Sequence, residues 1–406
     1  MQKITFWRTT FSSLENHNFR WFWFSATATA AVLQMNLVAR GLLVWELTGS
    51  YADVGLVSFA AGICMFLFSS FGGAIADRLD KRNLLIATQV FTSAILLWVA
   101  ILILLDIIEV WHLVIAAVGN GTMMAFNLPA RQSAVPQLVE QNQVMNAVAL
   151  NAGSQNLNRV LAPGVGGLVI GLLGFAEAYF LMTALAVFSA VFMMFVRPVG
   201  VSSLDSRPSV MSNVVEGIKY VRRTPVLGSL LMLLLVPVAL GMPYMMQLAA
   251  FASDVLEASE VRVGVLYSAT GIGALIGSIL IATMGDYKRK GNLLLGTGVM
   301  FGIFLVLLSF SSAFYVPFFV LIGVGMANAV YLIANNTLLL TSAEDQMRGR
   351  VMGLSATIIA FYPMSVWPLG EAMDRVDPRL VFAACGGLIG LIFFAVVLLR
   401  PHMRKL

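Results

Sequence analysis

Charged residues are scarce in this chain. Of its 406 residues only 11% are Asp, Glu, Lys or Arg, while 59% are apolar. A soluble domain carries about 25% charged residues. A deficit of this size over this length excludes one large water-soluble fold and means that most side chains face lipid or other membrane helices. Cysteine is nearly absent. Cys64 and Cys385 both lie inside apolar runs, which excludes a disulfide framework and reads as two buried thiols. Histidine is just as thin. His17, His112 and His402 sit at span ends or in tails, which argues against a proton relay at mid-depth and against a metal site. No Walker A sequence is present, so ATP does not drive this protein directly. No nucleophile–base constellation stands out, so an enzyme is a poor fit. Met1 to Arg20 is polar and the apolar run after it is too long for a signal peptide, so no cleavable leader is expected.

What is present is a series of apolar runs of membrane-span length. A span needs about 20 apolar residues. Twelve runs qualify: 21–48, 52–76, 83–105, 110–129, 145–173, 177–196, 226–250, 262–284, 292–311, 314–340, 351–371 and 379–399. They are continuous and not alternating, so helices are expected and a barrel is not. Of the 25 basic residues, twenty fall in loops and tails of one side, three (Arg262, Arg375, Arg379) on the other, and two (Arg40, Arg159) inside spans. The basic side is the cytoplasmic one, so both termini are expected there. These basic residues sit in loops between apolar spans, so nucleic-acid binding is not implied. The longest polar stretch, Arg197 to Pro225, carries the amphipathic sequence Val214–Arg223, which suits a helix lying on the membrane surface. The expected organisation is an N-terminal segment (1–20), a six-helix bundle (21–196), a linker (197–225), a second six-helix bundle (226–400) and a short tail (401–406). The fold class is all-α integral membrane, with twelve transmembrane helices in two pseudo-symmetric bundles.

An internal repeat supports that division. Between spans two and three the chain reads Gly73-x-x-x-Asp77-Arg78-x-x-Lys81-Arg82, and a worn copy lies 209 positions on. Asp77 maps to Asp286, Asn83-Leu84-Leu85 to Asn292-Leu293-Leu294, Gly55 to Gly264 and Gly62 to Gly271. The loop resembles the signature between helices two and three of the major facilitator superfamily. Parallel repeats about an axis along the membrane normal suit such transporters. In that superfamily the loop latches the two halves. The resemblance assigns this gate to Gly73, Asp77, Arg78, Lys81 and Arg82, with Arg131 of Pro129-Ala130-Arg131-Gln132. The sequence departs from the motif at Asp80, where glycine is usual.

In span five, Asn151, Gln155, Asn158 and Arg159 recur at helical spacing and give an apolar helix a polar face. Leu161 to Gly167 follows, and with Pro163, Gly166 and Gly167 it resembles the superfamily's span-five antiporter motif, although Ala162 replaces the usual glycine before the proline. That motif is associated with exporters. In span one, Gln34 and Asn36 precede Arg40, and an arginine inside a span costs about 2.5–3.5 kcal/mol on insertion scales. Two readings stand for the arginines. They bind an anionic or acceptor-rich substrate, or Arg40 snorkels to Glu46, Asp53 or Glu371 while Arg159 binds backbone carbonyls. The second half offers amides and soft groups: Met242, Met246 and Gln247 around Pro237 and Pro243, Asn328, Tyr331 and Asn335 on one face of span ten, and Trp367 in span eleven. Most such residues are helix packing when taken singly. As a group they suggest a roomy cavity of donors and acceptors.

The whole chain resembles a bacterial exporter of this superfamily, in the group of enterobactin, macrolide and multidrug efflux proteins. Leu47–Ser50, Gly73–Arg82, Pro129–Gln132, Glu216–Pro225 and Met347–Leu354 carry the resemblance. It implies alternating access in a bacterial cytoplasmic membrane, no bound cofactor, a small-molecule substrate, a monomer, and the proton gradient as energy source. No carboxylate sits at mid-depth, so proton coupling would fall to Glu46, Asp53 or Glu371 near the outer mouth. An organic-anion antiporter, an importer of the same fold and a non-transporting receptor are the alternatives.

Overall fold

The computed structural model describes residues 11–198, 210–285, 287, 289–312, 314–400 and 403–404. The side chains of 69–78 and 210–215 lie outside that description. The described residues are helical, and twelve helical stretches are long and apolar enough to cross a membrane. The first six are α1 (His17–Thr48), α2 (Tyr51–Arg78), α3 (Lys81–Leu104), α4 (Val110–Ala134), α5 (Val144–Leu173) and α6 (Phe175–Met194). The linker forms α7 (Val210–Arg223). Then follow α8 (Pro225–Val236), α9 (Tyr244–Asp254), α10 (Glu260–Met284), α11 (Lys290–Ser309), α12 (Tyr315–Ser342), α13 (Arg348–Ala360), α14 (Tyr362–Arg375) and α15 (Pro378–Leu399).

Besides the linker helix, fourteen helices make twelve spans because two spans are broken. Pro237 has no N–H, so the carbonyl of Leu233 loses its helical donor. A π turn, Pro237–Gly241, follows, closed by the Met242 N–H donating to the Pro237 carbonyl at 2.7 Å, and separates α8 from α9. Pro363 does the same between α13 and α14, where the Phe361 N–H falls back to the Ile358 carbonyl at 3.1 Å. Helix starts are marked by local acceptors. Asn16 Oδ1 accepts from the N–H groups of Asn18 and Phe19, Asp80 from Arg82, and Asp377 from Arg379. The Asp80 backbone (φ −59°, ψ 116°) needs no glycine, so the departure from the family motif becomes a cap for α3.

The chain divides into two compact units, and the division does not follow the sequence halves. One unit holds 1–43 and 63–206, the other 44–62 and 207–406. Within the first, α3 packs on α4 and α6. Within the second, α10 packs on α12 and α11 on α15. Glycines set the closeness of these crossings. A Cβ on Gly273 would stand 2.0 Å from the Ile322 carbonyl oxygen, and one on Gly325 2.1 Å from that of Thr270. Small residues drive such packing in lipid, where the hydrophobic effect does not favour helix association. The linker helix is engaged as well. Arg350 Nη2 meets Glu216 Oε2 at 2.7 Å, Gly217 lies against Leu354, and the Glu344 N–H donates to the Tyr220 hydroxyl at 3.2 Å. The expected surface helix is therefore docked on the start of the eleventh span.

Candidate functional site

Among the gating residues, Gly73, Asp77 and Arg78 lie in α2 but their side chains fall outside the described residues, as do Asp286 and Lys288 of the second copy. Lys81 is fully buried, and Arg82 Nη2 donates to the Met194 carbonyl at the end of α6 (2.7 Å). Arg131 lies inside α4, which runs on to Ala134 past the end of the apolar run, and is buried. Its Nε donates to Asn127 Oδ1 (3.2 Å) and its Nη2 to Thr29 Oγ1 (3.0 Å). The guanidinium carbon stands 5.6 Å from the Phe22 ring centre, a cation–π geometry. Gln89 Nε2 donates to Thr29 (2.8 Å), Asn127 Nδ2 to Thr88 (2.8 Å), and Ser189 bonds both Ser25 and Thr29 (2.9 Å each). Four helices, α1, α3, α4 and α6, thus surround one buried arginine with neutral polar groups. The sequence reading singled out none of Thr29, Thr88, Gln89, Asn127 and Ser189. Their signal was Gln89 and Asn127, two amides inside otherwise apolar runs.

The structure splits the polar face of α5. Asn151 and Asn158 turn inward, and Asn158 Nδ2 donates to the Ser154 carbonyl (3.0 Å). Gln155 and Arg159, one turn apart, are exposed, and Arg159 makes no ion pair or side-chain hydrogen bond with a described residue. Leu157, Leu161, Val165, Leu168 and Leu172 form a separate exposed apolar strip suited to lipid. Helix α5 is fastened to α1: Trp23 Nε1 donates to the Leu150 carbonyl (3.1 Å), Thr27 bonds Ser154 (2.6 Å), and a Cβ on Gly166 would lie 3.4 Å from Met35 Cα. Pro163, Gly166 and Gly167 are all buried. Half-buried Asn36 and Arg40 share a face of α1, four residues apart, while Gln34 lies on another.

In the second unit, Tyr331 donates its hydroxyl to the Leu233 carbonyl at 2.7 Å, the group that Pro237 leaves without a donor. Asn335 Nδ2 donates to the Leu230 carbonyl (3.2 Å). Both side chains are buried and hold the broken seventh span. Gln247 is fully buried, and its Nε2 donates to the Tyr51 carbonyl at 3.0 Å. The carbonyl oxygens of Gln247, Asn328 and Asn335 find no donor among the described residues. Met242 and Met246 are half-buried, and Trp367 is exposed with its ring 5.4 Å from that of Phe59. Of the outer acids, Glu371 pairs with Arg375 (2.9 Å), Glu46 is exposed near the end of α1, and Asp53 sits in the first turn of α2. Cys64 is half-buried, Cys385 is buried, and both are free thiols.

A family model described as "Transmembrane secretion effector" matches residues 8–404. The chain is 25% identical over 399 residues to the multidrug efflux pump Tap of Mycolicibacterium fortuitum, covering 94% of this chain and 95% of that one. It is 22% identical over 368 residues to macrolide efflux protein A of Streptococcus pyogenes (89% and 90% covered). It is 24% identical over 413 residues to the enterobactin exporter EntS of Escherichia coli K12 (98% and 96%). Among solved structures, the nucleoside transporter NupG superposes with a TM-score of 0.76 at 14% identity, covering 94% of this chain and 98% of NupG. A bacterial homologue of the lysosomal transporter Spinster gives 0.74 at 14% identity, covering 95% and 96%.

Proposed function

This chain belongs to the transmembrane secretion effector family of the major facilitator superfamily, and from that premise we propose that it exports small amphiphilic molecules, siderophore-like or drug-like, by alternating access. The observation that carries the proposal is the near-full-length similarity to three proteins named for efflux of chemically different compounds. The exposed polar pair of α5, Gln155 and Arg159, supports it. Arg159 is a cation inside a membrane-spanning helix with no partner among the described residues, and such residues line pathways or bind ligands. We assign substrate contact to Arg159 and Gln155. Arg40, Asn36, Met242, Met246, Asn328 and Trp367 are secondary contacts. Asn158, Tyr331 and Asn335 are occupied within the helix bundles and act as scaffold. The protein is a monomer in a bacterial cytoplasmic membrane with both termini inside, from the twenty-to-three charge bias, and it is not an enzyme.

The proton gradient is the proposed energy source, with Glu46, Asp53 or Glu371 as the coupling group. Unchanged pH-dependent transport in all three amide variants removes these candidates. A second reading, organic-anion antiport without proton movement, is favoured by the same unpartnered Arg159. Counterflow in proteoliposomes with anionic chelators, neutral macrolides and cationic dyes tests the site. Loss of the anionic or neutral set in Arg159→Ala supports it. Transport of cationic dyes alone, indifferent to Arg159, overturns it.

A further inference from the structure

Helix α2 begins with a cap that comes from 323 positions away. The first N–H groups of a helix have no partner within it and need acceptors from elsewhere. At α2 each has one. Ser50 Oγ accepts from the Asp53 N–H at 3.1 Å, as an ordinary local cap does. The Tyr51 and Ala52 N–H groups go instead to Asp374, at 2.7 Å to Oδ1 and 2.9 Å to Oδ2. Ser50 Oγ donates to the same carboxylate at 2.8 Å. Asp374 is at the end of α14, and its neighbour Arg375 is held by Glu371. The carboxylate therefore meets the positive end of α2 as its counter-charge.

Further contacts fasten the same part of α2. The Tyr51 hydroxyl donates to Asp254 Oδ2 at 2.8 Å, at the end of α9. Gln247 Nε2 donates to the Tyr51 carbonyl (3.0 Å) and the Val366 carbonyl (3.4 Å). Along one helical stripe, Gly55 would place a Cβ 2.7 Å from Trp367 Cα, and Gly62 one 2.4 Å from Pro363 Cβ. From the other side, a Cβ on Gly370 would stand 2.2 Å from the Tyr51 carbonyl oxygen. All these residues lie in one compact unit, although 44–62 belongs to the first half of the sequence. The start of α2 and the ends of α9 and α14 lie at the membrane face opposite both termini, since one span precedes α2 and an even number separates the termini.

We propose that Asp374 and Asp254, with Tyr51 and Gln247, form the latch that closes this face, and that α14 must release the start of α2 each time the face opens. The inference rests on the transporter reading. The bonds to Ser50 and Ala52 are solvent-exposed. Water can replace an acceptor there at small cost, which suits a contact broken and remade in every cycle. The buried part, Tyr51 (3% exposed) and Gln247 (0%), reseals the crossing when the cap reforms. Asp374 is a positioning residue: it sets which state is closed and touches no substrate.

The test uses the full chain with Cys64→Ala and Cys385→Ala, and a reporter Ser58→Cys. Ser58 is 3% exposed and shares the stripe of Tyr51, Gly55 and Gly62. A membrane-impermeant maleimide is applied to the face opposite the termini. Labelling is slow in this background and rises about fivefold or more in Asp374→Ala, as loss of a cap predicts. Tyr51→Phe also raises it, and Asp374→Asn, which keeps an acceptor, gives a smaller rise. Arg375→Ala leaves it unchanged. Equally slow labelling in Asp374→Ala and Tyr51→Phe overturns the latch, as does the same rise in Arg375→Ala. Labelling needs no substrate, so a failure of the export reading leaves this result standing by itself.

Discussion

Tyr331 shows how one residue connects sequence and fold. Pro237 removes an N–H from the seventh span, and the freed Leu233 carbonyl takes the Tyr331 hydroxyl. Tyr331→Phe leaves that carbonyl without a donor and is expected to cost about 1–2 kcal/mol, read as a lower melting temperature in detergent. Pro237→Ala restores the N–H, so the penalty of Tyr331→Phe shrinks in that background. An equal penalty in both backgrounds removes the assignment. Residue identity was legible in the sequence, but role was less so. A group of polar side chains inside apolar runs suggested a cavity, although most are helix packing when taken singly. Tyr331 and Asn335 instead serve helix carbonyls, and Asn158 bonds its own helix. Lipid excludes polar groups equally from a bundle interior and from a substrate path, so periodicity alone does not separate the two.

At the scale of elements, the twelve spans and their order were legible because runs of this length have few alternatives in a bilayer. The breaks were not. Pro237, Pro363 and Pro368 were visible, yet Pro368 lies inside α14 and Pro129 inside α4 without ending either helix. Neighbouring helices decide which proline becomes a break. Glycines were visible too, and only the structure shows which ones face a backbone. Gly273→Ala forces α10 and α12 apart and is expected to destabilise by about 1–3 kcal/mol. Gly296, with nothing within 4 Å of its added Cβ, is expected to tolerate alanine or gain up to about 1 kcal/mol of helix propensity. Thermal melting of the two variants side by side checks both, and equal melting temperatures contradict the packing argument.

For the whole molecule, the repeat at 209 positions pointed to two six-helix halves. The compact units depart from that symmetry at 44–62, which packs with the second half. A contact made by Asp374 with backbone N–H groups leaves no pattern in the sequence, because the partner groups are common to every residue. Under the proposed alternating access, 44–62 is the part of the first half that must leave its partners in the second unit each time this face opens.

The most direct test of the account is uphill movement. Purified protein in proteoliposomes, with an imposed pH gradient and a macrolide or enterobactin-like chelator at equal concentration on both sides, is expected to accumulate that compound on one side. A protonophore is expected to abolish the accumulation. Exchange that proceeds only against a second organic anion and ignores the pH gradient would contradict proton-driven export, and saturable binding without any flux would contradict transport altogether.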